Sequence, residues 1–263
     1  MYDRYGGNTA CVVLSLEGEK PLILDLGTGL VSLGRSLPAD SDFRGSALIT
    51  HSHWDHIQGL PYFSPLTREG STLDIYGPSE ESMSLEMVFD KAISSPLFPV
   101  SWRELGGRIG FHNCGLETFS VGRFKVSVQP VPHPGMTVGY RIEADGSSVA
   151  YVSDHQMPLR DMTITSEVLD LCDGADLLIH DAQFTADEFA AKPDWGHCTF
   201  GYAIEVARSS RVRELAFFHH DPSHDDERMD QLASQAIQSA KDAGVRAVVA
   251  TEGMLVEVGK GGS

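Results

Sequence analysis

The chain has 263 residues, 41% of them hydrophobic and 22% charged, with a formal net charge of −17. That length permits one large domain or two small ones around a real core, and no apolar run approaches the ~20 residues of a membrane span. So acidic a surface repels polyanionic backbones and argues against polymeric nucleic acid as a partner. A small phosphorylated substrate stays open, because bound metal ions can reverse the local field, and solubility alone also explains an acid excess.

Four cysteines, Cys11, Cys114, Cys172 and Cys198, are scattered with no CxxC spacing. They read as free thiols of a reducing cytoplasm. Met1-Tyr2-Asp3-Arg4 carries no signal-peptide pattern. The last residues, 259–263, have the composition of a flexible tail.

Short β-like runs begin with Cys11–Leu14, Leu22–Leu24 and Ala47–Ile49. Leu73–Tyr76, Phe124–Val128 and Val138–Ile142 come next. Val149–Val152, Leu177–Ile179, Leu215–Phe218 and Ala247–Val249 complete the series. β-Branched and aromatic residues dominate these runs, and turn residues bound them. Helical periodicity is rarer. Phe200, Ala203, Ile204 and Ala207 mark one apolar face; Met229, Leu232, Ala233, Ala236, Ile237 and Ala240 mark another. The second helix opens on Asp225-Asp226-Glu227 and ends before Gly244, as dipole and C-cap preferences favour. Strands first, then strands mixed with helices, predict two packed sheets with helices outside. Ser79 to Phe111 reads as an insertion, a helix and then a Pro-stiffened apolar loop, usable as a lid, a sugar- or base-stacking wall, or a homodimer contact.

The third run leads into His51-Ser52-His53-Trp54-Asp55-His56. Imidazole nitrogens and a carboxylate suit a borderline ion such as zinc. Residues two apart in an extended chain point the same way, so His51 and His53 can grip one ion. Asp55 and His56 follow where the chain turns, and can reach a second ion. Paired ions can clamp the attacking and leaving oxygens of a displacement. A His-rich surface loop is the plain alternative, but such tracts lack this strand-then-turn setting.

Further ligand types stand directly after later apolar runs: His133, Asp154 and His219. Singly, a strand-end His or Asp is more often a turn or cap residue; together with the first cluster they become candidate ligands. Asp154 could bridge two ions, which would hold a hydroxide nucleophile. His197 precedes Thr199, a reasonable N-cap for the helix from Phe200, and could bind phosphate or protonate a leaving oxygen. Asp181 could orient a catalytic histidine, or cap a turn. His155 and His224 could line a pocket or face solvent. Cys198 reads as a small apolar residue rather than a nucleophile.

Thr50 to Leu60 resembles the signature of the metallo-β-lactamase fold hydrolases, and Leu22 to Gly29 resembles the strand and glycine turn preceding it there. The similarity runs from about Arg4 to Glu252. Ala175 to Ala182, Trp195 to Thr199 and Phe218 to Pro222 resemble motifs of the tRNase Z and cyclic-phosphate phosphodiesterase (PhnP-like) branch. The resemblance implies an α/β fold, a four-layer αβ/βα sandwich of two mixed sheets flanked by helices, as a single domain over residues 1–258. It implies two divalent ions, zinc with manganese or iron as alternatives. His51, His53 and His133 would hold one; Asp55, His56 and His219 the other; Asp154 would bridge. His197 would serve as the phosphate-binding or proton-donating histidine and Asp181 as its partner, so Asp55, His197 and Asp181 are the residues expected to act in catalysis.

Three departures shape the transfer. About twenty residues separate His133 from Asp154, which leaves no room for the long exosite arm of a tRNase Z. The resemblance leads one to expect a first strand and glycine turn ahead of Arg4, and Met1-Tyr2-Asp3 do not supply them. His220 beside His219 makes the last ligand ambiguous, and strand-end alignment favours His219. The expectation is a dinuclear phosphodiesterase acting on a small cyclic phosphate or cyclic nucleotide. A lactone, thioester or sulfate-ester hydrolase, and a non-catalytic metal-dependent sensor, are the alternatives.

Overall fold

Apolar runs of three to seven residues, cut by glycine and polar turns, become the strands of a mixed α/β structure. The computed structural model describes residues 2–80 and 82–259; the expected tail therefore lies, from residue 260 on, outside the described residues. The chain divides into two compact units, Asn8–Gly115 with Val121–Arg123, and Met1–Gly7, Leu116–Ser120 and Phe124–Ser263.

The N-terminal unit contains β1 (Val12–Leu14), β2 (Leu22–Leu24), α1 (Gly29–Ser36), β3 (Arg44–Leu48), α2 (Trp54–Ile57), β4 (Thr72–Gly77), α3 (Leu85–Ala92) and β5 (Arg108–Asn113). Its sheet runs β1-β2-β3-β4-β5. Only β1 is antiparallel to its neighbour; β2 to β5 are parallel. All three residues of β2 are buried, as parallel strands covered on both faces require. Ile23, Ala47, Leu73 and Ile75 join Leu30 of α1 and Phe89 of α3 in one core cluster.

The C-terminal unit contributes β6 (Thr118–Val121), β7 (Phe124–Pro130), β8 (Val138–Ala144), β9 (Ser147–Val152), α4 (Ser166–Cys172), β10 (Leu177–Asp181), α5 (Ala186–Ala191), α6 (Phe200–Ser209), β11 (Leu215–Phe218), α7 (Asp226–Asp242) and β12 (Ala247–Val249). Its sheet order is β12-β11-β10-β9-β8-β7-β6. β9 to β12 are parallel, whereas β7, β8 and β9 pair antiparallel. β7 alternates buried with half-buried or exposed residues, but β10 is buried throughout. Both long helices expected from periodicity form. Thr199 caps α6 by accepting from Tyr202 N–H, and Asp225 caps α7 by accepting from Arg228 N–H.

The expected α/β class, two mixed sheets flanked by helices, is what forms. Sequence patterning missed β5 and β6, which carry only two apolar residues each, Ile109 and Phe111, and Phe119 and Val121, none of them fully buried. The insertion read as ending at Phe111 closes instead in β5, a member of the sheet.

Candidate metal centre

Each unit carries its own cluster of ligand-type side chains. In the N-terminal unit the chain leaves β3 through Ile49 and Thr50, stays extended to His53 (φ −62°, ψ 151°), then winds into α2. The His51 and His53 rings lie 4.5 Å apart, and those of His51 and His56 4.2 Å apart. Asp55 Oδ2 stands 3.4 Å from His56 Nε2. α2 thus turns His56 back beside His51.

Asp25 organises this cluster. It follows β2 with φ 59° and is fully buried. One oxygen accepts the Thr50 N–H at 2.8 Å, both accept the Thr50 hydroxyl, and Oδ2 meets His56 Nδ1 at 2.9 Å. A carboxylate on Nδ1 fixes the ring and leaves Nε2 as the ligand atom. Sequence reasoning overlooked Asp25, although it carries the same signal as Asp154, a carboxylate directly after an apolar strand. Gly59 completes the local geometry: a Cβ there would sit 2.0 Å from Gly27 O, so only glycine lets the two turns approach.

In the C-terminal unit the candidate residues gather at the C-terminal ends of strands. Parallel β9, β10 and β11 end beside one another, with His180 opposite Val152 and Asp181 opposite Phe218. Asp154, Asp181 and His219 therefore share one edge, the usual place for ligands in such sheets. His133 follows β7. Asp154 is buried and turns one oxygen toward each of two histidines, Oδ2 lying 3.6 Å from His133 Nε2 and Oδ1 3.5 Å from His219 Nε2. Such distances are long for hydrogen bonds. They match two ligands on one tetrahedral ion, whose bonds of about 2.0–2.2 Å set ligand atoms about 3.3–3.6 Å apart. Asp154, His197 and His219 each offer a ligand atom within 4.8 Å of the others. His133 Nδ1 lies 2.9 Å from the Thr137 hydroxyl, a neutral counterpart of the Asp25 contact.

His197 Nδ1 faces Asp181 Oδ2 at 3.0 Å, and its ring stacks on His219 with centroids 5.0 Å apart. Asp181 also accepts the backbone N–H groups of His155 and Gln183. Gly196 adopts φ 95°, and a Cβ there would lie 2.4 Å from His133 Nε2, so glycine is required to pass the chain behind that ring into His197.

The His219–His220 ambiguity resolves geometrically. With φ 57°, His219 turns toward Asp154, while His220 Nε2 donates to Ala250 O at 2.9 Å and its pKa is pushed down to about 4 by burial. His155 neither lines a pocket nor meets solvent. It is buried, its Nδ1 is 3.0 Å from His180 Nε2, and His180 Nδ1 donates to Asp181 O. Burial, followed by the neighbouring His180 and His133, holds the His155 pKa well below the ordinary imidazole value. His224 pairs with Glu188 at 2.7 Å. Burial raises the Cys198 thiol well above its usual pKa, and its Sγ donates to Asp181 O, a setting that disfavours a thiolate nucleophile.

Residues 36–220 match the Beta-lactamase superfamily domain, and the chain belongs to that family. A curated Ribonuclease Z from Thermococcus gammatolerans is 26% identical over an alignment 279 positions long, gaps included, covering 92% of this chain and 87% of that one. Among solved structures, the metallo-β-lactamase fold protein YhfI from Bacillus subtilis superposes with a TM-score of 0.70 at 20% identity, over 94% of this chain and 90% of that one. A diphosphatase of the PhnP family gives a TM-score of 0.66 at 19% identity, over 95% and 86%. The expected class, a hydrolase of the metallo-β-lactamase fold, agrees with these findings. The fold implies divalent metal, and the imidazole and carboxylate donors here fit one.

Proposed function

We propose that the chain is a dinuclear metal-dependent phosphodiesterase acting on a small cyclic phosphate or cyclic nucleotide. The observation that carries this reading is Asp154, whose two oxygens each face a different histidine, as a carboxylate shared by two ions would. In this reading His51, His53 and His133 serve one ion, and Asp55, His56 and His219 the other, following the superfamily pattern. Zinc suits these donors, with manganese and iron as alternatives. Bound there, two divalent ions would supply charge neutralisation on the phosphate oxygens and an activated water.

The chain's own residues do the rest. Asp25 and Thr137 orient His56 and His133 through Nδ1. Asp181 accepts the Nδ1 proton of His197 and so aims Nε2 at the site, where a doubly protonated ring would give its Nε2 proton to the departing oxygen and return to the neutral form. The backbone bonds to Asp181 keep that carboxylate in place.

Small size of the substrate is supported by the segment between His133 and Asp154. It is filled by β8, β9 and the two-residue turn Asp145-Gly146, with no inserted arm. The name of the Thermococcus relative favours a second reading, hydrolysis of RNA, which the charge of −17 opposes. A cytoplasmic setting is supported by the lack of any disulfide among the four cysteines. No helix among the described residues is long and apolar enough to cross a membrane.

The test is a panel of cyclic phosphates, cyclic nucleotides, bis(p-nitrophenyl) phosphate, lactones and a structured RNA, assayed with zinc, manganese and iron. Turnover of the cyclic diesters above all others is expected. Turnover confined to lactones or to RNA would refute the reading.

A further inference from the structure

The hydrolytic chemistry leaves one feature of the N-terminal unit unused, a pocket of about 270 Å³ beside the histidine cluster. Ser52 and Trp54, the chain neighbours of His53, form part of its lining. The insertion supplies Met83, Lys91, Ala92 and Leu97. One wall is thus continuous with the candidate ligands, and the rest belongs to the 79–111 segment, for which the sequence left a lid, a stacking wall and a homodimer contact open.

Its lining points to a ligand type. Trp54 is 51% and Leu97 74% exposed, and covering such apolar surface is favourable. An indole face and a thioether both favour an aromatic ring. Lys91 Nζ donates to Met83 Sδ at 2.9 Å. A thioether is a weak acceptor, and Lys91 has no ion-pair partner among the described residues. In so acidic a chain, that ammonium is available to a ring carbonyl or ring nitrogen at the pocket rim. The volume lies just under the ~300 Å³ at which drug-sized pockets begin, so it suits one ring system.

We infer that this pocket is the subsite for a nucleobase-like aromatic group, which selects base-bearing phosphodiesters over bare sugar phosphates. The reaction part of this inference rests on the phosphodiesterase reading; the binding part does not.

Two measurements on the full-length, metal-loaded protein test it. The first is the ratio of kcat/KM for a nucleoside 2′,3′-cyclic phosphate to that for the base-free ribose 2,3-cyclic phosphate. The second is calorimetric binding of adenosine 5′-monophosphate against ribose 5-phosphate. Base stacking of ordinary strength makes each preference about tenfold or more in the wild type. Ala92→Trp, which fills the pocket, and Leu97→Ser, at an exposed position that tolerates change, are both expected to reduce it, Ala92→Trp to near unity. A folded Ala92→Trp or Leu97→Ser that keeps the full binding preference overturns the inference, as does a wild type that binds both ligands alike. Base-selective binding lost in Ala92→Trp, with neither diester turned over, would leave the subsite standing and remove the phosphodiesterase reading alone.

Discussion

The N-terminal unit gathers four candidate ligands between His51 and His56, whereas the C-terminal unit draws its own from strand ends spread between His133 and His219. The first cluster is made by local chain geometry, an extended dipeptide running into a short helix. The second is made by sheet register, which aligns the ends of β9, β10 and β11. Their supports differ as well. A buried carboxylate, Asp25, holds the first through His56; a hydroxyl, Thr137, holds His133 in the second. Contiguous ligands under a charged brace should be hard to disturb singly, whereas distributed ligands depend on the one residue they share.

Asp154→Ala should therefore have the largest effect. It removes the carboxylate that faces both His133 and His219, and activity is expected to fall at least about 1,000-fold, as loss of a central electrostatic group does. Bound metal, read by elemental analysis after dialysis, should fall with it. Retention of two ions per chain in Asp154→Ala would break the contrast between a shared and a contiguous ligand set.

His197→Ala is expected next. It removes a side chain held by Asp181 at 3.0 Å, so metal content should stay at the wild-type level. kcat should drop by about 10²–10⁴-fold, the usual worth of a general acid. The deficit should shrink on substrates with good leaving groups such as p-nitrophenolate, which need no proton. An equal deficit on good and poor leaving groups would remove the proton-donor role while leaving the ligand assignments intact.

The supporting residues sharpen the comparison. Asp25→Asn replaces the charged acceptor of His56 Nδ1 with an amide, and metal affinity in a chelator competition should fall by about 10–100-fold, typical of an outer carboxylate. Thr137→Val removes a neutral contact whose net worth is about 0.5–1.5 kcal/mol, a fall of roughly tenfold or less. Equal losses from the two substitutions would show that the charge on Asp25 is not what distinguishes the units.

The same contrast explains how much the sequence disclosed. The contiguous histidines and Asp55 are legible because their spacing is itself the geometry. Asp154, His133 and His219 were legible only as ligand types after apolar runs, since nothing in one-dimensional spacing encodes which strands are neighbours. Asp25 went unread for a physical reason. It touches the site through Thr50 and His56, and such a role looks in sequence like an ordinary turn aspartate. His155 and His180 were similarly opaque, because a buried hydrogen bond between two imidazoles depends on β9 and β10 being adjacent. The strands β5 and β6 escaped because each alternation is only two apolar residues long and half-buried, too short to stand out from a loop. The sheets themselves were legible wherever parallel strands had to be apolar on both faces, as in β2 and β10.

The smallest expected effect belongs to Cys198, which adjoins His197 in sequence and could be mistaken for part of the machinery. Its sulfur is buried against Asp181 O at 3.1 Å, and burial raises the thiol pKa well above the usual range. A thiol so placed stays protonated at neutral pH and cannot act as a nucleophile. Cys198→Ala should keep kcat within about twofold while lowering stability by roughly 1 kcal/mol, as small cavities do. Alkylation with iodoacetamide should leave the native wild type active for the same reason. A hundredfold loss in Cys198→Ala would instead tie this sulfur to catalysis. The C-terminal unit would then hold a reactive group that its strand-end geometry hides, and the contrast between a locally built and a register-built cluster would have to be redrawn.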